Sequence, residues 1–184
     1  MGGSGEKATK NGGGAKAGGV RLTARDQRIL RFVVSHGRVT VHHVGRFAFG
    51  TGGGEEGFDP ASESAVYRRL RKLKRLGLIR HERILWNQPG VFRATEAGAR
   101  MSGTGLPPAG IDLADLEHDT RVVTLSLSIL GSSLYGARWI TEREIRHAVL
   151  GRTRSTETGL MRAGKGWGRI PDGVLLGLGG ERVA

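Results

Sequence analysis

Apolar residues recur along the chain at two periods, and the change from one to the other marks out its elements. Ile29, Leu30, Val33 and Val34 fall on one stripe, at the three- and four-residue spacings that an α-helix gathers onto one face. Ahead of them Thr23 and Asp26 have the spacing of a capping box, with Asp in place of the usual Glu or Gln. Gly37 after His36 supplies the left-handed residue that commonly ends a helix. A second, short helix is predicted from Thr40 as N-cap through Val41, Val44 and Phe47, and the glycines from Gly50 onward break it into a loop that runs to Pro60. A third helix, capped by Ser62 or Ser64, carries Val66, Leu70, Leu73 and Leu76, advancing by four, three and three residues, before Gly77 closes it.

The period then shortens. Residues 78–86 read as a strand, Asn87-Gln88-Pro89-Gly90 as a turn and residues 91–94 as the returning strand. Thr95 introduces a short helix over residues 97–101, and the Gly- and Pro-rich residues 102–110 read as a linker. Beyond it, a helix over residues 112–130 offers Leu113, Leu116, Val123, Leu127 and Leu130 as core positions, a further helix starts at Thr141, and residues 169–176 read as a turn and a strand. Residues 1–20 are Gly, Ser, Ala and Lys with little to bury and are expected to form a mobile basic tail. The expected class is α+β: tail 1–20, a winged helix-turn-helix over 21–101, linker 102–110, and an incomplete α/β module over 111–184 that stops where another strand would begin.

Charge sharpens this picture. Twenty-nine Lys and Arg against 17 Asp and Glu give +12, an imbalance that favours a polyanionic partner. No apolar run reaches the roughly 20 residues of a membrane span and no secretory leader is legible, so a cytoplasmic chain with no membrane partner is expected. The chain has no cysteine, which excludes disulfides, thiolate zinc sites and cysteine nucleophiles, and neither cofactor nor metal is expected.

The third helix concentrates the charge. Around its apolar stripe stand Arg68, Arg69, Arg71, Lys72, Lys74 and Arg75, with Arg68 over Lys72 and Arg71 over Arg75 at i,i+4, a like-charge stacking that a polyanion would relieve. A solvated face is the alternative meaning of such a run. The order helix, helix, helix, hairpin favours DNA, because it presents the third helix to a major groove. Ser64, Tyr67 and Arg68 are then candidates for base edges; Arg71, Lys72 and Arg75 for phosphates; Arg80, Arg83 and Arg93 on the hairpin for the neighbouring backbone or minor groove; Arg69 is counted with the DNA-binding residues without a separate role. Tyr67 and Trp86 are equally readable as partly buried anchors.

The runs Leu22-Thr23-Ala24-Arg25-Asp26, Val66-Tyr67-Arg68-Arg69-Leu70-Arg71-Lys72-Leu73, Gly77-Leu78-Ile79 and Thr95-Glu96-Ala97-Gly98 resemble the replication-relaxation family, winged-helix proteins of actinobacterial and other Gram-positive plasmids and integrative elements. Leu116-Glu117-His118-Asp119, residues 139–146 and Pro171-Asp172-Gly173-Val174 continue the likeness. The resemblance implies double-stranded DNA binding in plasmid or mobile-element replication, relaxation or mobilisation, with a relaxase or replication protein as partner and a homodimer as a further option. It also implies a C-terminal restriction-endonuclease-like module, with Asp172 at the first acidic element. A metal-dependent nuclease needs a second acid and a lysine on the next strand. Glu181 is followed by Arg182-Val183 and no lysine comes after Lys165, so the expectation is a truncated or inactive module and no enzymatic activity. A transcriptional repressor is the alternative within the DNA-binding class.

Overall fold

The computed structural model describes residues 21–50, 60–84, 86, 89–110, 113–131, 137–150, 170–177 and 182–183. The tail, the loop 51–59, Leu85, Asn87, Gln88 and Glu181 lie outside the described residues. In chain order the elements are α1 (Ala24–His36), β1 (Val39–Thr40), α2 (Val41–Phe49), α3 (Pro60–Arg75), β2 (Ile79–Glu82), β3 (Val91–Ala94), α4 (Glu96–Ser102), α5 (Leu116–Gly131), β4 (Arg138–Thr141), α6 (Glu142–Leu150), β5 (Gly173–Leu176) and β6 (Arg182–Val183). Six helices and two three-stranded antiparallel sheets make this a mixed α+β chain among the described residues.

Helix starts follow local chemistry. At α1 the Thr23 hydroxyl accepts from the Asp26 amide at 3.1 Å and Asp26 Oδ2 accepts from the Thr23 amide at 3.0 Å. At α2 the Thr40 hydroxyl accepts from the His43 amide, while His43 Nδ1 accepts from the Thr40 amide at 3.2 Å. Each reciprocal pair satisfies two donors that the first helical turn leaves without an intrahelical partner. Helix α3 begins earlier than the serines suggest. It opens on Pro60, whose missing N–H is no loss in a first turn, so Ser62 and Ser64 lie inside the helix rather than capping it.

The first sheet runs β1-β3-β2, with Val39 opposite Phe92 and His81 also opposite Phe92 on the other side. Strand β1 is invisible to periodicity because it has only two residues, and both are buried. Ile29, Leu30 and Val33 of α1, Val44 of α2, Val66, Leu70 and Leu73 of α3, and Ile79 and Phe92 of the sheet form one core.

That core extends past residue 101. Leu106, Val123 and Leu127 belong to the same cluster, so α5 lays its apolar stripe on the N-terminal elements. Leu113 precedes the helix and is exposed, unlike its predicted core position. Residues 102–110 are tied down by side chains reaching their carbonyls. Arg31 donates to Ser102 O, Arg93 to Ala109 O and Arg38 to Gly110 O. Backbone outside regular structure must find such partners when it is covered. The second sheet, β4-β5-β6, pairs Ile140 with Val174 and has its own small cluster of Ile140, Ile145 and Val174.

Gly98 sets how closely α4 approaches the first sheet. A Cβ there would lie 1.9 Å from the Leu78 carbonyl oxygen, and that carbonyl already accepts from the Thr95 amide at 3.0 Å. Gly98→Ala must push α4 away from β2, and is expected to destabilise the protein by about 1–3 kcal/mol in urea unfolding. Gly103→Ala, whose Cβ would meet nothing but which has φ +72°, should cost about 1 kcal/mol through backbone strain alone.

Candidate nucleic-acid interface

Helix α3 is amphipathic in three sectors. Val66, Leu70 and Leu73 are buried against α1 and α2. On the far side Ser64, Arg68, Arg71 and Arg75 advance by four, three and four residues, so they form one exposed stripe. Tyr67 and Lys74 flank that stripe on the side of the hairpin. Arg68 and Arg75 make no ion pair with any described residue, and Arg71 makes only a contact over the Tyr67 ring, at 6.0 Å from its centroid. The stripe leaves its charge available.

The third sector departs from the sequence reading. Arg69 and Lys72 point back to Asp26 of α1, whose side chain is 0 % exposed. Arg69 Nη1 lies 3.2 Å from Oδ1 and Lys72 Nζ 2.6 Å from Oδ2. Burial by itself would raise the Asp26 pKa, but hydrogen bonds from Lys72 and Thr23 and the nearby Lys72 charge outweigh it and hold the group at about 2. Arg69 and Lys72 are therefore committed to the fold and are not placed as phosphate contacts. Nothing in the α3 sequence separates them from their neighbours, because their partner lies 43 and 46 residues away.

The hairpin divides in the same way. Arg93 is half-buried, donating to Glu82 Oε1 at 2.8 Å through Nε and to Ala109 O at 3.2 Å through Nη1, which removes it from the candidate surface. Arg80, directly across the ladder from Arg93, is exposed, as is Arg83 beyond the strand. Trp86 stands at the turn with 91 % of its surface exposed, and the Arg83 guanidinium lies 6.0 Å from its ring centroid. The strand predicted over 78–86 ends at Glu82, which frees both residues from the sheet.

Between α3 and the hairpin runs a groove of about 460 Å³, lined by Tyr67, Arg71, Lys74, His81, Arg83 and Phe92. Its lining contains no carboxylate. Burial, then the charges of Lys74 and Arg83, lower the His81 pKa, and its ring lies tilted by 34° against Phe92 with the centroids 4.5 Å apart. Lys74 and His81 were not among the sequence candidates; the seven-residue step from Tyr67 to Lys74 is the signal that places Lys74 on the same side.

A second cleft, of about 330 Å³, lies between the end of α1, α5 and the second sheet. Six of the side chains that line it meet in pairs. Arg38 meets Asp119 at 2.5 Å, His118 meets Asp172 at 3.2 Å, and Arg146 pairs with Glu142. Among the described residues no three His, Asp or Glu side chains are grouped to hold a metal ion, and no helix is long and apolar enough to cross a membrane. Comparison with family models, curated proteins and solved structures yields no match to this chain.

Proposed function

We propose that this chain is a winged-helix protein that binds duplex DNA, with α3 entering a major groove and the β2–β3 hairpin lying on the flanking backbone. The observation that carries the reading is the exposed stripe Ser64, Arg68, Arg71 and Arg75, whose cations form no ion pair among the described residues while the neighbouring Arg69 and Lys72 are paired with Asp26 within the fold. The order α1-β1-α2-α3-β2-β3 with the sheet order β1-β3-β2 supports it, since such an arrangement carries the third helix on a rigid scaffold beside a hairpin. Ser64, Tyr67 and Arg68, toward the start of the helix, are the base-edge candidates; Arg71, Lys74 and Arg75 contact phosphates; Arg80 and Arg83 extend the footprint. Replication, relaxation or mobilisation of a plasmid or mobile element is the proposed setting, resting on the resemblance of residues 22–26, 66–73 and 139–146.

Fluorescence anisotropy of a labelled duplex across a salt series tests the reading. The wild type is expected to give a log–log slope of about −4 to −8, and the Arg68→Ala/Arg71→Ala/Arg75→Ala variant a slope shallower by about 2, since Arg71 and Arg75 are its two phosphate contacts and each contributes about 0.9. Among the described residues these three make no ion pair, and Arg71's contact over Tyr67 lies within the same helix, so the variant's thermal unfolding should match the wild type. Absence of duplex binding at low salt, or an unchanged slope in the variant, overturns the proposal.

A further inference from the structure

The groove between α3 and the hairpin has more than a duplex backbone requires. Phosphates need cations, and Arg71, Lys74 and Arg83 supply them along its rim. They do not need the aromatic floor made by Tyr67, Phe92 and the His81 ring. Nor do they need a tryptophan that is 91 % exposed at the hairpin turn. An exposed indole forfeits the burial that usually keeps tryptophan covered. Arg83 joins the two features, lining the groove and standing 6.0 Å from the Trp86 ring centroid.

From these observations we infer that the groove and Trp86 form a site for unpaired DNA bases at the edge of the bound duplex, so that the preferred ligand is a junction between paired and unpaired strands. Cations alternating with aromatic faces match a single strand, whose bases offer flat π surfaces while its phosphates stay outside. A groove of about 460 Å³ lies within the size range of small-ligand sites, which admits a nucleotide. In this arrangement α3 holds the duplex, the strand leaves along Arg71, Lys74 and Arg83, and Trp86 stacks on an unpaired base. The inference rests on the reading of α3 as the duplex-binding helix.

Three labelled probes test it with the full chain at one salt concentration: a short duplex, the same duplex with an oligo-dT tail, and the same duplex with an abasic tail of equal length. The abasic tail keeps every phosphate and removes every base. The dT-tailed probe is expected to bind about five- to tenfold more tightly than the abasic one. Trp86→Ala should abolish that difference, Trp86→Phe should retain most of it, and both variants should bind the plain duplex within twofold of the wild type. Equal affinity for the two tails, or an equal loss on all three probes in Trp86→Ala, overturns the inference without overturning the reading of the chain as a duplex binder. If the plain duplex is not bound at all, the proposed function fails together with it.

Discussion

The Arg69→Ala/Lys72→Met variant is expected to lose about 3–5 kcal/mol of stability in urea unfolding, because it strands the Asp26 carboxylate inside the protein without a counter-charge. The asymmetry of the site makes the outcome specific. Asp26 is fully buried, whereas Arg69 and Lys72 retain 29 % and 35 % side-chain exposure and can turn to water when released. Asp26→Ala should therefore be milder, about 2 kcal/mol, through loss of the cap on α1 and of the charge-assisted bonds. Adding Asp26→Ala to the double variant should recover part of its loss, since no buried charge then remains. If the triple variant is instead less stable than the double, the buried carboxylate is not the source of the cost. In the wild type the same group makes stability acid-sensitive. A folded pKa of about 2 against an ordinary 3.8 means its contribution is complete above pH 3.8 and disappears as pH falls through 2.

A second large effect is expected at milder acidity. His43 is buried, accepts from the Thr40 amide through Nδ1 and meets Thr124 Oγ1 of α5 at 3.0 Å through Nε2. The Thr124 hydroxyl donates its own hydrogen to the Thr120 carbonyl, so the ring must donate to it. The ring is thereby held neutral with its proton on Nε2. Burial first, then the charges of His42 and Arg46, lower its pKa to about 4 from 6.5. Between those values the unfolded chain binds a proton that the folded chain does not, so stability rises with pH across the window. The folded state is expected to lose about 3 kcal/mol from this group as pH drops from 6.5 to 4. His36, lowered to about 3 by burial and by His43, adds a loss of the same sign. Urea midpoints measured over this range check the slope. His43→Gln, which can still accept from the Thr40 amide but does not titrate, should flatten it by about the His43 share. A full slope in that variant would mean that His43 is not responsible.

Both predictions concern contacts that no local pattern reveals. The stripe Val66, Leu70, Leu73 was legible as buried because helical spacing alone puts those residues on one face. The same spacing equally made Arg68, Arg69, Arg71 and Lys72 read as one basic surface. What separates them is Asp26, readable in the sequence only as half of a capping box with Thr23, which turns out also to anchor α1 to α3. Glu82 does the same to Arg93. Asp26, 43 and 46 residues away, removes Arg69 and Lys72 from the candidate interface, and Glu82, across the hairpin, removes Arg93.

Local order in the chain was decided by the sequence itself. The capping residues Thr23, Thr40 and Thr95 and the glycines that end α1 and α3 act through neighbouring backbone, so their effect travels no further than a turn, and the alternation of three- and four-residue apolar steps fixes which face of each helix is apolar. Tertiary structure decided the rest. It set β1 as a two-residue strand made by pairing with β3, brought Leu106, Val123 and Leu127 into the N-terminal core, and left Trp86 outside the sheet. It also chose which arginines remain free. These outcomes depend on free-energy differences between residues far apart in the chain, where the loss of hydration by a buried Asp26 or a buried Val123 is offset only by the partner that folding brings to it.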